Sequence, residues 1–248
     1  MSRLDNQIAI VTGAAQGLGR AFCEKLAAEG AHVVAADLNL DGASATAHAI
    51  GGGAMALQVD VSQEASTASM AEETLARWGR IDILVNNAGI YQGLTRRSFE
   101  ELPPGEWDRV MAVNLKGPWL CARAVVPAMK KQRRGKIINI SSATFFSGSP
   151  LMAHYVASKA GVIGLTRAMA KEAGEYGICV NAVAPGFTLT EASRALRPDA
   201  ETYAIDRGAI RRAEQPEDLV GLVAFLASSE SDFITGQTIV VDGGRQLH

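Results

Sequence analysis

The sequence predicts an α/β fold, a doubly wound parallel sheet of about seven strands with helices on both faces, in a single domain. Two features support this prediction. Short apolar runs rich in β-branched residues alternate with longer amphipathic runs over the whole of the 248 residues, as expected when each parallel strand is followed by a crossover helix. Small or polar residues follow most of these runs, and in such sheets ligands bind beyond the carboxyl ends of the strands.

Each predicted strand is a short apolar run. The strand ranges are 8–12, 32–37, 54–60, 81–86, 136–141, 178–184 and 238–241. Longer runs between them carry apolar residues at helical spacing. The predicted helices are 20–29, 62–78, 106–131, 154–175 and 215–227, with Ser62 as an N-cap and Pro216 near a first helical position. Asn114, Gly117 and Pro118 interrupt the helix at 106–131.

The composition argues against several kinds of partner. The formal net charge is -2 and 20% of the residues are charged, so no general attraction to nucleic acid or to an anionic membrane is expected. The basic run at 130–136 is interpreted as a solvated helix end. No apolar run approaches the roughly 18 residues that a membrane span needs, and the first residues lack the apolar core of a signal peptide.

Cysteine usage indicates the redox environment. Cys23, Cys121 and Cys179 are scattered along the chain among apolar neighbours. Their odd number and their spacing fit neither a disulfide framework nor a set of metal ligands. The sequence therefore predicts reduced thiols, a cytoplasmic protein and no metal site.

A glycine-rich turn follows the first strand. Gly13, Gly17 and Gly19 lie between a strand and a helix in the spacing Gly-x-x-x-Gly-x-Gly, with Gln16 and Leu18 in the same turn. Glycines let the backbone approach a pyrophosphate, and a helix N-terminus offers free N–H groups and a partial positive charge. The next strand ends in an acidic residue, which completes the pattern typical of dinucleotide-binding, Rossmann-type sheets.

The acid at the end of the second strand bears on the identity of the dinucleotide. The carboxylate of Asp37 can accept both hydroxyls of an adenosine ribose, and its charge repels a 2′-phosphate. Leu38 follows it, and no Arg or Lys lies in the turn at 13–19, so a 2′-phosphate would lack a partner. The sequence predicts NAD(H) as the cofactor. The alternative is that Asp37 simply ends a strand in a turn.

A tyrosine and a lysine four residues apart form a candidate proton-transfer pair. Tyr155 and Lys159 lie in a predicted helix, where this spacing puts both side chains on one face. A free phenol has a pKa near 10 and is a poor acid or base at neutral pH. An ammonium beside it favours the phenolate and brings that pKa toward the working range. Such pairs are also common on helix surfaces, so their role depends on what surrounds them.

Further motifs recur in a fixed order along the chain. They are Thr12-Gly13-x-x-x-Gly17-x-Gly19, Asn86-Asn87-Ala88-Gly89, Asn114, Ser142, Tyr155-x-x-x-Lys159, Pro185-Gly186-x-x-x-Thr190, and Ile234-Thr235-Gly236-Gln237 followed by Asp242-Gly243-Gly244. Over nearly its whole length the chain resembles the single-domain branch of the short-chain dehydrogenase/reductases. The resemblance implies an oxidoreductase that moves a hydride to or from a nicotinamide. It also favours Ser142, at the usual interval before Tyr155, over Ser141 as the catalytic serine.

The resemblance implies a role for each of four catalytic residues. Tyr155 would exchange a proton with the carbonyl or alcohol oxygen, and Ser142 would hydrogen-bond that oxygen and stabilise the charge developing there. Lys159 would contact the nicotinamide ribose and lower the pKa of Tyr155, helped by the positive ring of NAD⁺. Asn114 would break its own helix to hold a water that links Lys159 to solvent.

The resemblance also implies cofactor contacts beyond the glycine turn. Asp60 and Val61 would flank the adenine, the segment 87–89 would pass under the adenosine ribose, and the segment 187–190 would meet the carboxamide and the phosphates. The full predicted cofactor set is Gly13, Gln16, Gly17, Leu18, Gly19, Asp37, Leu38, Asp60, Val61, Asn87, Ala88, Gly89, Tyr155, Lys159, Pro185, Gly186, Thr188 and Thr190.

Two segments are the predicted walls of the substrate pocket, 143–154 and 187–212, and the second is a loop and short helix that in this family forms a lid. Apolar and aromatic residues dominate there, including Leu151, which favours a hydrophobic substrate. The predicted lining is Ser142, Thr144, Phe145, Met152, Tyr155 and Phe187. Arginines on or near the lid are interpreted as solvated, with binding of a carboxylate, a phosphate or a carrier thioester as the alternative; they are Arg194, Arg197, Arg207, Arg211 and Arg212.

Three functional hypotheses follow. The leading one is an NAD-dependent alcohol dehydrogenase or ketone reductase for a hydrophobic, aromatic or cyclic secondary alcohol. The second is a 3-oxoacyl-thioester reductase, which predicts NADPH use and a basic docking patch. The third is a non-catalytic dinucleotide sensor. The resemblance further implies a homotetramer, with the helices at 106–131 and 154–175 across one interface and the final helix, strand and residues 245–248 across another.

Overall fold

One parallel sheet organises the fold. The computed structural model describes residues 2–203 and 205–247, without the side chain of residue 196. Its strands are β1 (Ile8–Thr12), β2 (His32–Asp37), β3 (Met55–Gln58), β4 (Ile83–Asn86), β5 (Gly135–Ile140), β6 (Ile178–Pro185) and β7 (Thr238–Val241). They lie side by side in the order β3-β2-β1-β4-β5-β6-β7, and neighbours are parallel. This confirms the predicted Rossmann-type α/β fold, and the chain direction across the sheet reverses between β1 and β4, where such sheets bind ligands.

Helices connect the strands. They are α1 (Gly17–Ala28), α2 (Leu40–Ile50), α3 (Glu64–Trp78), α4 (Pro104–Met111), α5 (Gly117–Gln132), α6 (Thr144–Ser147), α7 (Ala153–Ala173), α8 (Glu191–Leu196) and α9 (Glu217–Ala227), with short 3-10 turns at Phe99–Glu101, Gly174–Tyr176, Ile205–Arg207 and Ser229–Ser231. A π-helical segment, Ala112–Lys116, joins α4 to α5. The interruption predicted near Asn114 is therefore a π-helical turn, and the helix continues through it from α4 to α5.

Two local details differ from the sequence-based expectation. Helix α2 was not predicted, although Asn39 caps it by accepting a hydrogen bond from the N–H of Gly42 at 3.2 Å. The prediction of Ser62 as the N-cap of α3 was wrong. That helix begins at Glu64, and the Ser62 hydroxyl instead donates to Asp60 Oδ1 at 2.7 Å, because the preceding carboxylate is the nearer partner.

Apolar side chains cover both faces of the sheet. On one face, Val11 of β1 belongs to a cluster with Phe22 of α1 and Leu219 of α9. On the other face, Ile10 belongs to a cluster with Met70 of α3, together with residues of α5 and α7. Because neighbouring strand residues point to opposite faces, both must be apolar here, which explains the continuous apolar runs. This burial fixes the strand ends that build the site.

Three global features bear on the class of protein. Within the described ranges, no helix is both long and apolar enough to cross a membrane. The same residues contain no group of three or more His, Cys, Asp and Glu side chains placed to hold a metal ion. Cys23, Cys121 and Cys179 are free thiols in buried positions.

Candidate active site

Helix α7 and the end of β5 bring the predicted catalytic side chains together. Tyr155 and Lys159 are 8% and 5% exposed. The Ser142 hydroxyl hydrogen-bonds the Tyr155 phenol. Lys159 Nζ donates to the carbonyl of Ile140 at 2.8 Å and lies 5.9 Å from the centre of the Tyr155 ring. A serine, a tyrosine and a lysine therefore meet at one point of the sheet edge.

The two adjacent serines have different surroundings. Ser141 Oγ donates to the carbonyl of Lys159 at 2.7 Å, so this side chain ties α7 to the end of β5. Both serines line the same cavity, and Ser142 also hydrogen-bonds the Tyr155 phenol. The contact with Tyr155 distinguishes Ser142 from Ser141, and the catalytic role of Ser142 stays a prediction.

Burial sets the ionisation of the pair. Burial raises the pKa of Tyr155, the phenol of Tyr91 raises it further, and the hydrogen bond with Ser142 opposes both effects. The rings of Tyr91 and Tyr155 are 5.2 Å apart. Burial also lowers the pKa of Lys159 to about 8. Loss of hydration disfavours both charged forms, and Lys159 is not among the causes of the Tyr155 pKa shift. The expectation that Lys159 and the positive ring of NAD⁺ together lower the Tyr155 pKa stays a prediction.

Asn114 lies behind the site rather than in the cavity. Its Oδ1 accepts from the N–H of Ile90 at 2.7 Å, and its Nδ2 donates to the Ile90 carbonyl at 3.1 Å and to Ser158 at 3.3 Å. A Cβ placed on Gly89 would lie 3.4 Å from Asn114 Oδ1 and 3.5 Å from Lys159 Nζ, so both atoms approach the same small residue. Asn114 therefore braces the turn after β4, and its part in a proton path stays a prediction.

A cavity of about 740 Å³ runs along the carboxyl ends of the strands. Its lining includes the whole predicted cofactor set and most of the predicted substrate set. The predicted residues found there are Gly13, Gln16, Gly17, Leu18, Gly19, Asp37, Leu38, Asp60, Val61, Asn87, Ala88, Gly89, Ser142, Thr144, Met152, Tyr155, Lys159, Pro185, Gly186, Phe187, Thr188 and Thr190. One cavity thus holds both predicted binding regions.

Phe145 does not belong to this lining. Its side chain is 42% exposed on α6, and its ring meets that of Phe146 edge-on at 5.0 Å. Leu151 is also exposed. The apolar lining comes instead from Met152 and Phe187, joined by Tyr91, because the short helix α6 turns its aromatic side chains away from the cavity.

Two glycines of the turn, Gly13 and Gly19, have no room for a side chain. Gly13 has φ +68°, and a Cβ there would lie 2.8 Å from Ala88 Cα. A Cβ on Gly19 would lie 1.9 Å from the Gly13 carbonyl oxygen. The N-cap residue of α1, Gln16, makes no capping hydrogen bond, and the first turn of α1 carries no acidic residue. The free N–H groups and open backbone fit the pyrophosphate of a dinucleotide.

Asp37 holds the glycine turn in shape. Its Oδ2 accepts from the N–H of Ala15 and its Oδ1 from the N–H of Asn39, both at 2.9 Å. An ionised carboxylate has about four acceptor sites, so capacity for ribose hydroxyls is left over. Arg20, the cation that directly follows the glycine turn, donates to the Ala15 carbonyl and to Thr46 and does not line the cavity. This end of the cavity is acidic.

Glu214 is a site residue that sequence reasoning missed. Its Oε2 accepts from the N–H of Gly186 at 3.0 Å and its Oε1 from the Thr188 hydroxyl at 2.6 Å. The Glu214 carbonyl accepts from the N–H of Leu189 at 2.8 Å. A Cβ on Gly186 would lie 2.6 Å from Glu214 Oε2, so the glycine makes room for the carboxylate. Glu214 therefore holds the loop after β6 against the cavity, and no sequence motif marks it.

Burial raises the pKa of Glu214 to about 7. The hydrogen bonds from Thr188 and Gly186 oppose this shift, while the negative charges of Asp218 and Asp242 add to it. A loop that lines the cavity is thus held by a carboxyl group that ionises near neutral pH.

This geometry defines a class of protein. The open glycine turn fits a dinucleotide, and the buried Ser142, Tyr155 and Lys159 lie in the same cavity. A family model described as an enoyl-(acyl carrier protein) reductase matches residues 13–246. The protein is a nicotinamide-dependent oxidoreductase. More closely, it belongs to the short-chain dehydrogenase/reductase family, as its motifs indicated.

Named relatives and solved structures narrow the comparison. The 3-oxoacyl-(acyl-carrier-protein) reductase of Thermotoga maritima is 42% identical over 246 residues, 98% of each chain. A 3-ketoacyl-(acyl-carrier-protein) reductase from Brucella melitensis, solved with NADH, has a TM-score of 0.92 at 34% identity, over 98% of this chain and 100% of that one. A second Brucella melitensis structure, described as a ribose-5-phosphate isomerase, also has a TM-score of 0.92 at 38% identity, over 98% and 93%. Similar folds can thus carry different names, and activity must be argued from the site.

We predict that Glu214→Gln changes how stability depends on pH. A carboxyl whose pKa rises from 4.5 to about 7 on folding favours the folded state fully at low pH, and this contribution is lost as pH rises through about 7. From about pH 5 to about pH 8, the free energy of unfolding of the wild type should therefore fall relative to that of the glutamine variant. Urea unfolding at fixed protein concentration measures it.

Glu217→Gln is the matched control, since Glu217 lies three residues away on an exposed face of α9. The difference in free energy of unfolding between Glu217→Gln and the wild type should stay constant over the same pH range. Parallel pH profiles for the wild type and Glu214→Gln would contradict the raised pKa.

Proposed function

We propose that the protein reduces the 3-keto group of a 3-oxoacyl thioester with NADH. The observation that carries this proposal is the identity of 42% to a 3-oxoacyl-(acyl-carrier-protein) reductase over 98% of both chains. The cavity supports it, because Ser142, Tyr155 and Lys159 lie together in it. This reading takes precedence over the alcohol dehydrogenase favoured by the sequence alone.

The protein's own residues divide the work of the reaction. When bound, the nicotinamide dinucleotide supplies the hydride. Ser142 donates a hydrogen bond to the keto oxygen and stabilises the charge that develops there. Tyr155 gives that oxygen its proton. Because burial raises the pKa of Tyr155, the phenol stays protonated at neutral pH, which suits a proton donor in the reductive direction.

Lys159 and Asn114 support the proton donor in this proposal. The pKa of Lys159, lowered to about 8 by burial, lets the amine release and regain a proton near neutral pH. Asn114 Oδ1 and Lys159 Nζ approach Gly89 from the same side, which places the amide where it can pass that proton toward solvent through a water. The Thr144 hydroxyl oxygen is buried without a hydrogen-bond partner among the described residues, and we assign it to the substrate.

NADH is the proposed form of the cofactor. Asp37 lines the adenosine end of the cavity, and Leu38 beside it is 64% exposed. Neither supplies a partner for a 2′-phosphate, and the charge of Asp37 opposes one. The similar Brucella melitensis reductase was solved with NADH, so this cofactor is compatible with the proposed chemistry.

A ketone reductase or alcohol dehydrogenase for hydrophobic substrates is the second candidate. The lining near Tyr155 is apolar and aromatic, with Met152, Tyr91, Phe187 and Tyr203, which favours an aromatic or cyclic ketone. Initial rates of NADH oxidation with acetoacetyl thioesters and with aromatic ketones separate the two candidates. Turnover of aromatic ketones alone would overturn the thioester proposal.

We also propose that residues 1–248 act as one catalytic unit with a lid at 187–212. The rings of Phe187 and Tyr203 meet edge-on at 4.9 Å within that segment, which packs the start of the lid against a later part of it. Residue 204 lies outside the described residues.

Tyr155→Phe should reduce kcat by about 10²- to 10⁴-fold, because the proton donor is lost. The Kd for NADH should change little, since the ring and its packing remain. Tyr176→Phe is the control, because Tyr176 lies at the far end of α7 beside Lys130. Rates and fluorescence titrations with NADH measure both effects, and near-normal turnover of Tyr155→Phe would exclude Tyr155 as the acid.

Asp37→Ala should narrow the preference for NADH over NADPH, because the charge that repels a 2′-phosphate is removed. The ratio of kcat/KM for the two cofactors measures this preference. Asp41→Ala, four residues further on at the exposed start of α2, should leave the ratio unchanged. An unaltered ratio in Asp37→Ala would refute the role given to Asp37.

The protein should assemble as a homotetramer, as the family resemblance implied. Trp119 is 44% exposed beside an apolar groove formed by α4, α5 and α7. Phe233 and Leu247, after α9, are fully or almost fully exposed. Burial of such side chains is a common reason for assembly. Light scattering measures the mass, and a monomer at working concentration would contradict the prediction. Residue 248 lies outside the described residues.

A further inference from the structure

The charged residues that line the cavity come from different segments of the chain. Its acidic lining residues, Asp37 and Asp60, belong to the predicted adenosine region. Its arginines, in contrast, come from the loop after β4, from α4, from the lid and from the chain after β7; they are Arg96, Arg109, Arg197 and Arg245. Of these arginines, Arg197 belongs to the lid, one of the predicted walls of the substrate pocket.

Two of these arginines are organised around one aromatic ring. The guanidinium of Arg197 lies 3.8 Å from the centre of the Tyr203 ring, and that of Arg245 lies 5.4 Å from it. Arg245 also donates a hydrogen bond to the Tyr203 phenol. The ring of Phe187 packs edge-on against that of Tyr203 at 4.9 Å. A planar guanidinium stacked on a ring is oriented in advance, which lowers the entropy cost of binding an anion.

The local potential at this end is positive. Burial alone would raise the pKa of Tyr203, yet that pKa is lowered by the hydrogen bond from Arg245 and by the charges of Arg245, Arg197 and Arg96. The charges of Arg96 and Arg197 also act on Tyr91, whose ring contacts that of Tyr155. The positive region therefore reaches toward the proton donor.

Three arginines in and near the lid have acidic partners, whereas two of the cavity arginines have none among the residues that the structure describes. Arg194 pairs with Glu201 at 2.7 Å and Arg212 with Asp218 at 2.5 Å, so both are engaged outside the cavity. Arg197 shares one exposed carboxylate, Asp199, at 2.9 Å. Over the described part of the chain, Arg96 and Arg245 have no acidic partner within 4.0 Å. Arg194 is therefore paired away from the cavity, whereas Arg197 pairs with Asp199 and also lines the cavity.

We propose that Arg197 and Arg245, held by Tyr203 and assisted by Arg96, bind an anionic group on the substrate, away from its keto carbon. This inference rests on the proposed reduction of a carbonyl in this cavity. The anion is a phosphate on the thioester arm or a carboxylate of a free oxo acid, and guanidinium groups suit both. The cofactor pyrophosphate is the competing occupant, but it has its own site at the N-terminus of α1.

Pairs of substrates that share a keto group and differ in the anion test the proposal. The first pair is acetoacetyl-CoA and the acetoacetyl thioester of N-acetylcysteamine. The second is acetoacetate and its methyl ester, and the third is 4-acetylbenzoate and its methyl ester. The variants are Arg245→Gln and Arg197→Gln, and the matched control is Arg194→Gln, a lid arginine paired outside the cavity. The readouts are kcat/KM for each substrate and Kd for NADH.

The wild type should favour the anionic member of at least one pair. Arg245→Gln and Arg197→Gln should each lower kcat/KM for that member by about 10-fold or more, through KM, and change the neutral member little. Arg194→Gln should change neither. The pair that responds identifies the anion as phosphate or carboxylate. Calorimetric titration of the NADH-loaded protein with coenzyme A and with glutarate measures anion binding independently of turnover.

Two results would overturn the proposal. Equal losses for neutral and anionic members would mean that the arginines only support the lid. A weaker Kd for NADH with unchanged substrate ratios would mean that they hold the cofactor phosphates. The two proposals can fail separately. If no thioester is turned over but the anionic member of the second or third pair is still preferred, the thioester function is wrong and the anion site is supported.

Discussion

The attachment of α7 to β5 is the constraint on which the site depends. Ser141 donates to the main chain of Lys159, Lys159 donates back to the main chain of Ile140, and the amide of Asn139 donates to Thr166 two turns further along the helix. These bonds fix the helix in rotation and in height relative to the strand. Breaking one of these buried hydrogen bonds would leave an unpaired polar group, which costs more free energy than the intact bond contributes. The position of Tyr155 relative to Ser142 is therefore fixed by the attachment of the helix.

The buried strands of this fold could be predicted from the sequence because their apolar pattern repeats. The direction in which one side chain points could not. The strands β1, β2 and β7 were predicted to the residue because apolar runs must be buried on both faces of the sheet. Helix α2, which contains Gly42 and several alanines, was not predicted. Phe145 was placed in the pocket because composition cannot tell which way a short helix turns.

The electrostatics of the site were the hardest part to predict. Spacing correctly placed Tyr155 and Lys159 on one helix face, but the balance between attraction and loss of hydration depends on burial that no sequence pattern reveals. Glu214 illustrates the same point, since its partners Gly186 and Thr188 are far from it in the chain. The cavity therefore combines features that a motif can encode with others that only the folded packing creates.

The double use of Asp37 has a consequence for how this protein could change. The same carboxylate spaces the backbone at Ala15 and Asn39 and presents charge to the cavity. A lineage, or a designer, that wanted to admit a phosphorylated nucleotide would have to rebuild the loop as well as remove the charge. Asp37 has both a structural and a binding role. Diversification of this scaffold should therefore be easier at the lid than at the nucleotide end.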